Sequence, residues 1–240
     1  MPSNVYVALS AQVAADKRLA TIANNVANMN TPGFRAEQVR FTEVMSGSGA
    51  NGVSYVSGGD AFMSLKSGPI NPTGNPLDVA IAGDGWFGVR TPEGIGYTRD
   101  GRLHMTAEGE LRTVADFPVL DAGGGPLMID PRGGEVRVGA DGSISQSGKQ
   151  VGRIGLFQLP KGANLTRHDG STVMSDRAAT PVQSFTKNAV RQGYVEGANV
   201  DPIMEMTRLV SLQRAFEQAA SAVSAHEDAT SSAIRQLGPS

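Results

Sequence analysis

Gly83-Asp84-Gly85-Trp86-Phe87-Gly88 spells Gly-x-Gly-x-x-Gly, the stretch of this chain closest to a ligand-binding signature. In a dinucleotide-binding unit that spacing brings backbone N–H groups and a helix N-terminus up to a pyrophosphate. The chemistry needs the helix, and here Val89-Arg90-Thr91-Pro92-Glu93-Gly94 follows, a short strand and a turn. The expectation is a turn leading into buried Trp86 and Phe87. A nucleotide-binding enzyme using the 83–88 loop is kept as the competing function class. The histidines are His104, His168 and His226, and none has acidic or imidazole neighbours at a metal-binding spacing. No Gly-x-Ser-x-Gly elbow presents a nucleophile. Arg35, Arg40, Arg99, Arg102, Arg208 and Arg214 are scattered, and are expected to make surface or interface ion pairs worth about 0–1 kcal/mol each. No catalytic residue, metal ligand or cofactor is assigned.

The polar residues with positional meaning lie elsewhere. Asn24, Asn25, Asn28 and Asn30 crowd the end of a helical pattern. Asn is a poor residue for a helix interior, because its side chain competes for backbone groups. Inside a heptad pattern it can serve instead as a buried polar contact. Thr31-Pro32-Gly33 then stops the helix, since Pro32 biases Thr31 away from the helical region and Gly33 permits a turn. Phe34 follows as an apolar plug.

Two long segments must position these groups. Asn4 to Met29 and Ile203 to Leu237 contain neither Gly nor Pro, whereas the chain between them is punctuated every few residues. Asp201 and Pro202 suit the cap and first turn of the second helix. Apolar residues step by three and four along both: Ala15, Leu19, Ile22 and Val26 in the first, with Leu9 widening the stripe, and Met206, Leu209, Gln213, Phe216 and Val223 in the second. Gln213, Glu227 and Thr230 interrupt the second seam, and an offset row adds Ile203, Val210 and Leu212. Such helices call for partners on several faces, and the termini read as a packing module for other copies.

The middle has a different texture. Thirty glycines in 240 residues, nearly twice average usage, favour many tight turns. Short alternating runs such as Leu77–Ile81 and Ile154–Leu159 read as strands. Asp-Gly recurs at 84–85, 100–101, 141–142 and 169–170 and is read as a hairpin signal, cleanest at Asp100-Gly101. The fold class expected is α+β: long, paired, coiled-coil-like N- and C-terminal helices plus an antiparallel all-β middle domain. The boundaries are 1–35 and 200–240 for a terminal helical assembly domain, 36–75 for an extended connector, and 76–199 for the β-rich domain. A net charge of −2 gives no basic footprint for nucleic acid. No apolar run of about 18 residues predicts membrane insertion. No signal peptide is visible, so export is expected by a route that cleaves none.

Four motifs now carry a resemblance. Asn24-Asn25-x-Ala27-Asn28-x-x-Thr31-x-Gly33-Phe34 resembles the N-terminal motif of the flagellar rod and hook proteins. Gly74-Asn75-Pro76-Leu77-Asp78-Val79-Ala80-Ile81 with Gly83-Asp84-Gly85 is similar to the start of their β-domain, and Tyr97-Thr98-Arg99-Asp100-Gly101 to their next signature. Glu196 to Asp201 and Gln213-Arg214-Ala215-Phe216-Glu217 resemble their C-terminal region. Arg35 stands where the family often has Lys, and Ala198 where it often has Ser.

The resemblance implies a non-enzymatic subunit of the bacterial flagellar basal-body rod. Such a subunit is exported through the flagellar type III apparatus and self-assembles with other rod proteins in a torque-transmitting helical tube across the periplasm. Tyr6 to Ser10, Asp84 to Phe87 and Val151 to Ile154 are more similar to a proximal rod subunit, with the distal rod protein as the alternative. The implied assembly residues add Asn24, Asn25, Asn28, Thr31, Gly33, Phe34, Asn199, Val200 and Arg214 to the helix stripes. Changing Gly33 or Phe34 is expected to block incorporation while leaving the β-domain folded.

Overall fold

The computed structural model describes residues 2–41, 43–46, 53–56 and 59–237, in two compact units. The first comprises 1–27, 37–62 and 201–240, and the second 28–36 and 63–200.

The first unit holds α1 (Pro2–Ala27), β1 (Glu37–Arg40), β2 (Glu43–Ser46), β3 (Val53–Val56), most of β4 (Asp60–Met63) and α2 (Pro202–Leu237). β1 pairs with β4 and β2 with β3. Asp201 Oδ1 accepts the N–H groups of Ile203 and Met204, each at 3.1 Å, satisfying two of the free donors at the start of α2. Residues 36–75, expected as an extended connector, carry β1 to β4 and then β5 (Ile70–Pro72).

The second unit continues with β6 (Val79–Ala82), β7 (Trp86–Thr91), β8 (Gly94–Thr98), β9 (Leu103–Met105), β10 (Leu111–Thr113), β11 (Val136–Val138), β12 (Ser143–Gln146) and β13 (Lys149–Arg153). It ends with β14 (Leu156–Gln158), β15 (Leu165–Arg167), β16 (Thr172–Ser175), β17 (Thr180–Pro181), β18 (Ala189–Gln192) and β19 (Tyr194–Glu196). Its largest sheet runs β15-β16-β8-β7-β14-β17 and is antiparallel. β7 is buried on both faces. Successive strand residues point to opposite sides, so Phe87 enters one core with Val79, Ile81, Leu111 and Leu156, while Trp86 enters a second with Tyr97, Phe157 and Val173. Tyr97 meets Phe157 edge-on at 5.8 Å.

The Asp-Gly signals divide. Those at 141–142 and 169–170 do join paired strands, β11 to β12 and β15 to β16. Asp100-Gly101 does not: β8 pairs with β7 and β16, whereas β9 pairs with β10. Gly101 is there for close approach, since a Cβ on it would stand 1.7 Å from the Val79 carbonyl oxygen.

The expected fold class is corrected. Among the described residues the chain is mostly antiparallel sheet, nineteen strands against two helices, and the helices are not a paired coiled coil. The expected seam of α2 is open, with Met206 and Phe216 exposed at 48% and 37%. Where knobs would enter holes, Ala15, Leu19, Leu212 and Phe216 line a cavity of about 190 Å³. The reason lies in the seam itself: Gln213 sits between Leu209 and Phe216, and too few large apolar side chains share one stripe to drive closure.

Candidate assembly site

The family-like motif after α1 is built into the second unit. Gly33 adopts φ +72°, and a Cβ there would lie 2.2 Å from the Asp100 backbone nitrogen. Its N–H donates to the Glu196 carbonyl at 2.8 Å. Phe34 is fully buried, with the Arg167 guanidinium 4.3 Å from its ring centre. Arg167 Nη2 also donates to the Arg35 carbonyl at 2.6 Å. Asn28 and Thr31 are half-buried, and the Thr31 hydroxyl donates to Asn28 Oδ1 at 3.2 Å.

Next to Phe34 lies a buried charge cluster. The Glu196 carboxylate is 0% exposed; Oε1 stands 2.8 Å from Arg35 Nη2 and Oε2 2.9 Å from Arg99 Nη1. The Gly68 N–H also donates to Oε1. Arg99 Nη2 donates to the Gly83 carbonyl at 2.6 Å, and Arg35 Nη1 to the Lys66 carbonyl. Both guanidiniums lie over Trp86, at 5.5 and 5.4 Å from its ring. Two cations share one buried anion, and the indole face and, for Arg99, the Asp84 carboxylate offset the remaining positive charge. Burial pulls Arg35 down to about 10 against the opposing pull of Glu196, and burial likewise lowers Arg99. Arg35 therefore remains charged at neutral pH.

Asn199 completes this region. Its Oδ1 accepts the Ala36 N–H at 2.6 Å, and its Nδ2 donates to the Ser64 and Lys66 carbonyls at 3.3 and 2.7 Å. Val200 beside it is half-buried.

The first unit has its own polar centre. Asn25 is 2% exposed; its Oδ1 accepts the Glu37 N–H at 2.9 Å, while its Nδ2 donates to the Glu37 carbonyl at 2.9 Å and to Glu205 Oε2 at 3.3 Å. Arg208 Nη1 holds the other Glu205 oxygen at 2.5 Å. This centre and Ile22 line a groove of about 640 Å³, flanked by Arg18 and Met204. Leu19, Asn24, Val26 and Leu209 are half-buried, whereas Gln213 and Arg214 are exposed like Met206 and Phe216. Leu9 and Val223 lie on α1 and α2, but their side chains fall outside the described residues. Asn25→Ala is expected to lower the stability of this unit by about 1–3 kcal/mol, because it removes the buried side chain that bonds the Glu37 backbone and Glu205. Urea unfolding followed by helical circular dichroism tests this, with Asn28→Ala as the milder comparison.

The assembly residues read from sequence therefore separate. Asn28, Thr31, Gly33, Phe34, Asn199 and Val200 belong to the second unit, and the helix residues to the first. Arg35, Arg99 and Glu196 were missed: the two arginines, expected at the surface or an interface, are 1% exposed. Their places within or beside the family-like motifs were the one local signal; their pairing was not legible, because the partners are remote in sequence.

The 83–88 loop opens β7 and no helix. Its Asp84 and Gly85 N–H groups, which a phosphate would need, donate to Asn188 Oδ1 at 2.8 and 3.1 Å. His168 pairs with Glu93 at 3.2 Å and His104 with Asp116 at 3.6 Å, with no nucleophile in either pair. Among the described residues no three His, Asp or Glu side chains converge on a metal position, and no helix is long and apolar enough to cross a membrane.

Three family models match in chain order. They are the flagella basal body rod protein model over residues 5–35, the flagellar hook protein FlgE/F/G D1 domain over 80–146, and the flagellar basal body rod FlgEFG protein C-terminal model over 191–236. An antiparallel β unit bracketed by terminal helices, with the N-terminal motif buried in it, is thus a structural subunit of the flagellar rod and hook class. The flagellar basal-body rod protein FlgF of Mesorhizobium japonicum is 46% identical over 99% of both chains. That of Rhizobium meliloti is 44% identical over 100% of both. The flagellar basal-body rod protein FlgG of Bacillus subtilis is 30% identical over 90% of this chain and 92% of its own. The chain belongs to the flagellar basal-body rod protein FlgF family.

Proposed function

We propose that this subunit joins other rod proteins and further copies of itself in a helical tube that crosses the periplasm and transmits motor torque at the proximal end of the rod. It reaches that position unfolded, through the flagellar type III export apparatus. It performs no reaction and binds no cofactor. The terminal helices supply the contacts between subunits. An interface that repeats head to tail without closing generates a filament of this kind. The observation that carries the reading is the exposed apolar surface of α2: Ile203 is 77% exposed, and Met204, Met206, Val210 and Phe216 are between 37% and 49%. Contiguous exposure of that kind marks a surface meant to be covered.

Met206→Asp and Phe216→Asp test the assignment. Each is expected to abolish recovery of the subunit in purified rods and to leave a non-motile strain. The urea midpoint of the Trp86 core should not move, because neither residue lies in that unit. Normal rods in the Phe216→Asp strain would remove α2 from the assembly surface.

A further inference from the structure

The chain changes unit four times: after residue 27, and then at three further crossings, after residues 36, 62 and 200. On the second-unit side, these three further crossings, first to third in chain order, are bonded to one another. The Gly33 N–H donates to the Glu196 carbonyl and the Asn199 N–H to the Phe34 carbonyl, joining the first crossing to the third. The Ser64 N–H donates to the Ala36 carbonyl at 2.8 Å, joining the second to the first. The Gly197 N–H donates to the Pro69 carbonyl at 2.8 Å, joining the third to the second.

Two side chains, both on the third crossing, then bind the other two at once. Asn199 accepts from Ala36 and donates to Ser64 and Lys66. Glu196 accepts from Gly68 and pairs with Arg35 on the first crossing and with Arg99.

We infer that Glu196 and Asn199 form a joint that makes the three crossings one cooperative element, so that a pull arriving along any of them is shared by the other two. The inference rests on the bonding within the second unit and is independent of rod assembly. A single crossing held by one or two hydrogen bonds would give way alone. Three crossings sharing Asn199 and Glu196 cannot open separately without breaking the half-buried amide bonds of Asn199 or leaving the buried Glu196 charge unpaired, and that penalty couples them. Arg99 anchors the joint in the sheet through its own bonds to the Ile81 and Gly83 carbonyls.

The test is amide hydrogen exchange on the dilute full-length chain through a series of low urea concentrations. The probes are the amides of Gly33, Ala36, Ser64, Gly68, Gly197 and Asn199. All six are expected to exchange through one opening with a common urea dependence. Asn199→Ala is expected to accelerate the six together by about tenfold, the scale of one or two lost hydrogen bonds. The amides of β7 and β14 should stay within about twofold of wild type.

Separate urea dependences for the three crossings would overturn the joint. So would acceleration confined to Ala36, or equal acceleration throughout β7 and β14. The wild-type urea series decides the matter even if the variant does not fold. No rod is present in the experiment, so its outcome is separate from that of the assembly assignment.

Discussion

Glu196→Gln is expected to destabilise the second unit by about 3–5 kcal/mol, since it removes the buried carboxylate that two buried guanidiniums share. Arg35 and Arg99 are each 1% exposed, so water cannot replace the lost carboxylate. Gln keeps the shape and an acceptor for the Gly68 N–H, which isolates the charge from the packing. The readout is urea unfolding of the full chain by intrinsic fluorescence. Trp86 is the single tryptophan, is 3% exposed, and lies against both arginines, so its emission reports this site. A midpoint shift worth less than about 1 kcal/mol would mean that the cluster is far better solvated than its burial indicates. Arg137→Ala is the control. Its partner Glu135 and Arg137 itself are 70% and 73% exposed, so no shift is expected.

Phe34→Ala carries the second large effect, a loss of about 3–5 kcal/mol from the same transition. Phe34 is fully buried, in a loop fixed on one side by Gly33 against Asp100 and on the other by the Glu196 cluster. This revises the expectation that Gly33 and Phe34 variants would fail to assemble while leaving the β-domain folded. They should fail because that domain is weakened. Gly33→Val adds a β-branched side chain at φ +72° and a 2.2 Å clash, and it should be at least as damaging. A Phe34→Ala chain with a wild-type Trp86 midpoint but no rods would restore the interface role.

The buried cluster also explains what a subunit of this class needs from its N-terminal motif. Asn25 satisfies the Glu37 backbone inside the first unit, whereas Gly33, Phe34 and Arg35 are committed to the second. One short motif therefore serves two folding units, and its residues answer to different neighbours. The helix residues left over, Met206, Arg214 and Phe216 among them, are exposed.

Local features were legible from the chain itself. The start of α2 at Asp201-Pro202, the hairpins at 141–142 and 169–170, and the four ordered motifs depend on neighbours a few residues apart, whose backbone preferences are intrinsic. The sequence by itself thus determined the family and much of the element order. The tertiary structure alone decided that the chain is mainly antiparallel sheet and that the α2 seam stays open. Whether a stripe is buried depends on what stands opposite it, not on its period. The tertiary structure alone also decided that Arg35 and Arg99 are core residues. Glu196 lies 97 positions from Arg99, and Asn199 lies 163 from Ala36. Only the folded path of the backbone brings such charges and amides together, and only the desolvation that follows makes them decisive for stability.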